Sequence, residues 1–295
     1  MAVTAEAVKA LRERTGAGMM ECKKALVEAN GDLEAAAEAM RKSGLAKADK
    51  KAGRVAAEGV IAFDRSADGK TVAVVEVNSE TDFVAREKDF QAFAGAVAKA
   101  ALEARPADLE ALVATKLPSG QTIEETRRAL IARIGENISV RRFDIVTSNA
   151  PLATYLHGSR IGTVVALEGG DDTLGRDLAM HVAAINPQYL SVDEVPAEFL
   201  AKEREIEMAK AEAEAQGKKP REIIAKMVEG RLRKSLAELT LLGQPFVRDP
   251  EVTVEKLLQK SNARVLRYVR YEVGAGIEKK QENFAEEVMA QVRGA

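Results

Sequence analysis

Thr71-Val-Ala-Val-Val-Glu-Val77 decides the fold, because its pattern returns later in the chain as Thr163-Val-Val-Ala-Leu-Glu168. Each copy is the second arm of a hairpin. Ahead of the first lie Val60-Ile-Ala-Phe63 and the pair Asp68-Gly69, which predicts a primed turn because such turns need positive φ. Ahead of the second stands Gly158-Ser159. Downstream, Phe93-Ala-Gly-Ala-Val-Ala98 is echoed by Leu178-Ala-Met-His-Val-Ala183. Asn137-x-x-Val140-x-Arg142-Phe143 is echoed by Asn262-x-x-Val265-x-Arg267-Tyr268. In the first copy Phe90, Phe93, Val97 and Ala101 share one helix face. A further helix opens with the capping box Thr122-x-x-Glu125 and carries Leu130, Ile131 and Ile134 up to Gly135. The closing strand 138–146 loses its alternation at Arg141-Arg142, which predicts a bulge. Three matches in the same order indicate a duplication. The expected fold class is α+β, with two related core subdomains built on antiparallel sheets, 55–147 and 148–190 with 241–273.

The copies differ in two places. Thr71 and Phe93 are 22 residues apart, whereas Thr163 and Leu178 are 15 apart. The surplus falls in the strand-to-helix loop Asn78-Ser-Glu-Thr-Asp-Phe-Val-Ala85, which sets a phenylalanine and a valine beside a carboxylate. The second copy carries an insertion, 191–240. Pro196 opens a charged helix with Phe199, Ile206 and Ala213 seven apart, Gly217 ends it, and Pro220 opens a return helix with Ile224, Met227 and Val228. Twenty residues of helix would extend this coiled-coil hairpin by ~30 Å, as an arm for dimer or partner contacts.

Residues 1–54 read as a three-helix module. Thr4 caps the first helix, in which Val8 and Leu11 mark a face before Gly16 and Gly18. The second sets Met19, Cys22, Leu26 and Ala29 on one side and ends at Asn30-Gly31. Asp32 caps the third, with Leu33, Ala36, Ala37 and Met40 recurring until Gly44. Lys47, Lys50, Lys51 and Arg54 then form a basic connector, read either as a solvated linker helix or as a phosphate contact. At the other end, Val273-Gly-Ala-Gly276 reads as a flexible break. Phe284, Val288 and Val292 follow on a short C-terminal helix, 274–295, that packs on the chain's own core or docks on a partner.

Composition narrows the function. The 295 residues carry 44 basic and 46 acidic side chains, a balance that argues against a protein whose main task is holding nucleic acid. One cysteine excludes an internal disulfide and two histidines exclude a histidine-rich metal site. No signal peptide or membrane span is visible, so a cytoplasmic address is expected. Gly69-Lys70-Thr71 is not a phosphate loop, since position 64 is Asp and a hairpin surrounds it. Gly16-Ala17-Gly18 follows a helix, whereas a dinucleotide loop follows a strand. Cys22 reads as a small hydrophobe and His181 as a satisfied core histidine. No catalytic constellation, metal site or cofactor is expected.

The residues resemble the elongation factor Ts family nearly end to end. Val8-Lys-Ala-Leu-Arg-Glu-Arg-Thr-Gly-Ala-Gly-Met-Met-Glu-Cys-Lys-Lys-Ala-Leu26 is similar to its amino-terminal signature. Thr81-Asp-Phe-Val84, Ile134-Gly-Glu-Asn137, and Tyr155-x-His157-Gly with Arg160-Ile-Gly162 are similar to later ones, and His181-Val-Ala-Ala184 and Gly243-Gln-Pro-Phe246 also agree. The resemblance implies a guanine-nucleotide exchange factor that binds elongation factor Tu and makes no covalent bond itself. It also implies that the amino-terminal module is of the ubiquitin-associated type. Arg12, Met19 and Met20 match the positions that dock on the GTPase's nucleotide domain. Asp82 and Phe83, flanked by Thr81 and Val84, match the wedge beside its Mg²⁺ site. Ile134, Gly135, Glu136 and Asn137 match a stretch supporting that contact, and His157 matches a tip reaching the distal β-domain. The expected partner is thus a protein, with no direct nucleic-acid or membrane contact and a possible homodimer through the arm. The alternative is a structural adaptor that assembles partners through the arm without altering nucleotide affinity.

Overall fold

A computed structural model describes residues 3–216 and 220–278. The predicted carboxy-terminal helix (Phe284, Val288, Val292) and the helix stop at Gly217 lie outside the described residues. The chain mixes helices with antiparallel sheet and divides into two compact units. Among the described residues, one takes in 3–64, 73–144 and 272–278; the other takes in 65–72, 145–216 and 220–271.

The first unit opens with α1 (Ala5–Thr15), α2 (Met19–Glu28) and α3 (Leu33–Lys51). Thr4 accepts the Ala7 amide at 3.1 Å, Gly16 closes α1 in the left-handed conformation, and Asp32 accepts the Glu34 and Ala35 amides. Leu11, Cys22, Ala25, Leu26 and Ala36 make the small core. Met19, expected on the buried side of α2, is instead 60% exposed at its first turn. The third helix runs through Gly44 to Lys51, so that Lys47, Lys50 and Lys51 of the basic connector lie in its last turns and Arg54 just beyond it. Helix α3 packs against a later helix there, where a Cβ on Gly44 would sit 2.9 Å from that of Ala132. Tertiary packing thus overrides the stop signal that a glycine gives in isolation.

The sheet order is β1 (Glu58–Arg65), β2 (Thr71–Ser79), β3 (Ile138–Thr147). Five residues join β1 to β2. The Gly69 amide donates to the Ser66 carbonyl at 2.9 Å, Gly69 alone takes positive φ, and the Asp68 carboxylate accepts from Ser66 Oγ and the Lys70 amide. A primed turn joins its strands through two residues and this connection has five, so it is a wider loop held by the Asp side chain. Between β2 and β3 come α4 (Asp82–Ala85), α5 (Lys88–Ala104), α6 (Leu109–Ala114) and α7 (Ile123–Ile134). Helix α5 buries Phe90, Phe93, Val97 and Ala101 as the spacing predicts, and both bonds of the Thr122–Glu125 capping box form.

Every residue of β2 is buried, including Glu76. Its carboxylate accepts from Arg141 Nη1 (3.0 Å), Arg142 Nε (2.6 Å), Asn78 Nδ2 (3.0 Å) and the Gly274 amide (2.8 Å). The broken alternation at Arg141-Arg142 reflects this shared partner, and β3 runs as one element through it. Gly274 has φ +74° and its Cβ position is 2.3 Å from the Ala57 carbonyl oxygen, so only glycine fits. The expected flexible break is therefore a pair of turns pinned to the sheet. Burial alone would push the Glu76 carboxyl up, but the Gly274 and Asn78 donors and the two guanidiniums hold it below its ordinary value.

In the second unit β4 (Ala153–His157) pairs antiparallel with β5 (Ile161–Glu168), α8 (Asp172–Ile185) packs across both, and β8 (Arg264–Glu272) lies beside β5. The chain between carries a 3-10 turn (Val192–Glu194), α9 (Ala197–Ala215), α10 (Arg221–Leu239), β6 (Pro245–Phe246), β7 (Asp249–Thr253) and α11 (Val254–Lys260). Helices α9 and α10 pack together, with Phe199 of the predicted seam against the cluster of Val195, Leu232 and Leu236. Ala211 and Ala215 meet Ile224 and Val228, while Ile206 and Ala213 are exposed. Small alanines allow close approach, and Arg204–Glu229 (3.0 Å) and Arg231–Glu214 (2.5 Å) bridge the two helices. His181 is buried. Its Nδ1 accepts the Val247 amide at 3.2 Å and its Nε2 faces Gln244 Oε1 at 3.0 Å, which assigns the proton to Nε2; burial lowers its pKa against the pull of Gln244.

Replacing Glu76 with Ala is expected to cost about 2–3 kcal/mol in urea denaturation. That lies below the full cost of orphaning a buried pair, because Arg141 and Arg142 are 26% and 35% exposed and can rehydrate. Since the folded value lies below the unfolded one, near 4.5, the contribution is complete above that pH and disappears as pH falls through the folded value. The difference between Glu76→Ala and the parent should therefore close on acidification.

Candidate functional site

The loop between β2 and α5 spans residues 80–87, whereas the corresponding loop between β5 and α8 spans only 169–171. The surplus forms a compact feature. Thr81 caps α4, accepting the Val84 amide on its Oγ at 3.4 Å, and Val84 and Ala85 fold inward. One residue away, the Phe83 ring is 74% exposed. Asp82 is half-exposed and pairs with Arg86 across one turn at 2.6 Å.

What holds this turn is the chain just beyond α7. The Glu136 carboxylate accepts both the Thr81 amide (3.0 Å) and the Thr81 hydroxyl (2.8 Å). In return, the Glu80 carboxylate accepts the Asn137 amide at 2.6 Å. Gly135 makes the crossing possible: it ends α7 with φ +91°, a conformation costly for any residue with a Cβ, and turns the chain so that Glu136 faces the loop. Its carbonyl accepts from Lys51 Nζ. Buried Asn137 donates its side-chain amide to the carbonyls of Arg54 (2.7 Å) and Ala52 (3.4 Å). Lys51 and Arg54 of the basic connector are thus engaged within the fold, Arg54 with Glu80 at 3.5 Å.

A shallow groove runs beside the exposed ring, lined by Phe83, Val84, Glu87, Asp89, Arg133 and Ile134. Arg133 pairs with Asp89 at 2.7 Å. Sequence-predicted Thr81–Val84 and Ile134–Asn137 therefore come together as one site. Arg12 and the 60% and 72% exposed Met19 and Met20 lie on α1 and at the start of α2, where two neighbouring thioethers stand in water. In the second unit His157 ends β4 at the hairpin tip, exposed, with Nδ1 at 3.1 Å from Tyr155 Oη. Glu80 and Glu76 were not among the sequence-derived site residues. A carboxylate inside the apolar run of β2 was the available signal for Glu76; nothing local marks Glu80.

Among the described residues, no group of three or more His, Cys, Asp or Glu side chains is arranged to hold a metal ion, and no helix is long and apolar enough to cross a membrane. The arrangement suits contact with another macromolecule: an apolar ring and a carboxylate presented on a braced turn.

The family model described as "Elongation factor TS" matches residues 80–275. The chain is 60% identical over 296 residues to elongation factor Ts of Alkalilimnicola ehrlichii and 59% identical over 297 residues to that of Thioalkalivibrio sulfidiphilus, in both cases across 100% of each chain. With elongation factor Ts of Halorhodospira halophila it shares 58% over 293 residues, 99% of each chain.

Thr81→Val keeps the shape of the capping residue but removes the hydroxyl that serves both Glu136 and Val84. It is expected to destabilise the turn by about 1 kcal/mol, seen as roughly fivefold faster hydrogen exchange at the Val84 amide, with the helices of the amino-terminal module unaffected.

Proposed function

The chain belongs to the elongation factor Ts family, and from that premise we propose that it is a cytoplasmic guanine-nucleotide exchange factor that binds elongation factor Tu–GDP and promotes GDP release and exchange for GTP. The observation that carries this reading is the exposed ring of Phe83 on a turn whose backbone is tied down from both sides. Burying a phenyl group is worth about 1.5–3 kcal/mol, and a braced backbone forfeits little entropy when that burial occurs in a partner. The Asp82–Arg86 pair is solvent-exposed, so little is lost when Asp82 turns to a new partner.

The physics of exchange fits these groups. A GTPase holds GDP–Mg²⁺ through phosphate-cradling amides and the metal's charge. An inserted ring displaces side chains packed near that site, and a carboxylate beside it disturbs the metal's polar shell. The factor forms and breaks no bond; it has only to bind the nucleotide-free GTPase more tightly than the loaded one. Linkage makes this reciprocal, and each tenfold loss of nucleotide affinity requires about 1.4 kcal/mol of differential contact. Several contacts are therefore needed, and we assign docking roles to Arg12, Met19, Met20, Ile134 and His157. The paired helices α9 and α10 serve as an accessory arm.

With Asp82→Ala and Phe83→Ala combined, the melting midpoint should stay within a few degrees while stimulated release of fluorescent GDP from elongation factor Tu falls at least about tenfold, as two interface anchors would give. Unchanged release kinetics would refute the wedge. Excising α9 and α10, with residues 196 and 240 rejoined by a short Gly-Ser linker, should leave most of the exchange rate; a structural adaptor would instead lose its activity.

A further inference from the structure

We infer that Glu80 is a positioning residue, which fixes the Asp82–Phe83 turn against the exit of the three-helix module so that docking of the module delivers the ring to one place. The inference rests on the exchange reading above and names a residue outside the matched Thr81–Val84 segment.

The geometry is a crossed pair of carboxylate-to-amide bonds. Glu80 holds the backbone of Asn137, and Glu136 holds the backbone of Thr81, so each segment grips the neighbour of the residue that grips it. A single hydrogen bond leaves a loop free to pivot about it; two crossed bonds remove that freedom. Both acceptors are carboxylates, and bonds to ionised acceptors are roughly twice as strong as neutral ones. Asn137 carries the constraint onward, since its side chain holds the carbonyls of Ala52 and Arg54 just beyond α3. Arg54 returns to Glu80 Oε2 at 3.5 Å, closing a ring from Glu80 through Asn137 and Arg54 back to Glu80. The same module end is seated on α7 by Gly44 against Ala132, by the Asp49–Arg128 pair and by Lys51 on the Gly135 carbonyl.

Opening the ring at Glu80 leaves Arg12, Met19 and Met20 untouched, so affinity for the GTPase should hold. The turn would then sample its working position for a smaller fraction of the time. Glu80→Ala is expected to lower the maximal GDP-release rate about tenfold, with the half-saturating concentration of factor changed less than about twofold. Glu80→Gln still presents an oxygen to the Asn137 amide, giving up the acceptor's charge and the long contact to the exposed Arg54 but keeping the crossed geometry; it should restore the rate to within about twofold of the parent.

A second readout needs no GTPase. The chain has no tryptophan, so Phe83→Trp introduces a single indole on the turn. Its time-resolved fluorescence anisotropy, read well below each variant's melting midpoint, should gain fast nanosecond motion when combined with Glu80→Ala and none when combined with Glu80→Gln. Unchanged indole motion in Glu80→Ala, a rate loss shared equally by Glu80→Gln, or an effect confined to half-saturation would each overturn the role. Failure of the parent chain to accelerate GDP release would instead refute the exchange reading, and the anisotropy would still report on the clamp.

Discussion

A carboxylate shut away from water in the middle of β2 must be neutralised by the fold, and much of the first unit follows from how Glu76 is satisfied. Two consecutive arginines of β3, the side chain of Asn78 and the Gly274 amide converge on it. An uncompensated charge there would cost several kcal/mol, so the strands cannot slip register and the chain after β8 cannot leave by another route. Asn78 also donates to the Glu58 carbonyl, which anchors the last turn of β2 before the loop begins. The loop that carries Phe83 therefore starts from a fixed point.

From that point the design problem is to expose an apolar ring without losing its position. Folding ordinarily fixes a phenylalanine by burying it. Here the ring is in water and the backbone beneath it is fixed instead, by Thr81 as cap, by Glu136 on Thr81, and by the inward Val84 and Ala85. Polar bonds do the work that packing does elsewhere, which is why a feature defined by Phe83 depends on two glutamates, an asparagine and a left-handed glycine. The arrangement holds the turn in place ahead of contact, so little ordering is left for a partner to impose.

Sequence periodicity revealed elements whose determinants are local. The Thr4, Asp32 and Thr122 caps, the apolar face of α5 and the surplus loop were all legible because a few adjacent residues specify them. What failed was set by distant partners. Gly44 reads as a stop, but α7 approaches there and needs a residue without a Cβ. Phe199, Ile206 and Ala213 suggest a heptad seam, yet Phe199 alone of these three packs toward α10, at Leu232 and Leu236, and the four-residue steps of Ile224, Val228, Leu232 and Leu236 bring Ala211 and Ala215 in place of Ile206 and Ala213. Asp68-Gly69 signals a tight turn, but the Asp68 carboxylate is spent on a wider one. Glu80 was invisible for the same reason, since its partner lies 57 residues away.

The scarcity of histidine, cysteine and tryptophan agrees with a protein whose effect is a difference between two binding energies. Such a protein needs no group tuned to donate or accept a proton during turnover, and the shifted titrating groups fit that requirement. Glu76 is held low by donors inside the sheet, His181 is kept neutral in the core, and the Tyr268 hydroxyl, pushed up to about 12 mainly by burial, donates to the Pro187 carbonyl. Each is consumed by structure. The groups left on display are of another kind, with thioethers at Met19 and Met20, a phenyl at Phe83 and an imidazole at a hairpin tip. Apolar and aromatic contacts gain most of their free energy from desolvation, which a partner supplies only where its surface closes over them. On the exchange reading proposed above, a site of this composition would discriminate between two shapes of the GTPase, and that discrimination is the whole of what nucleotide exchange requires.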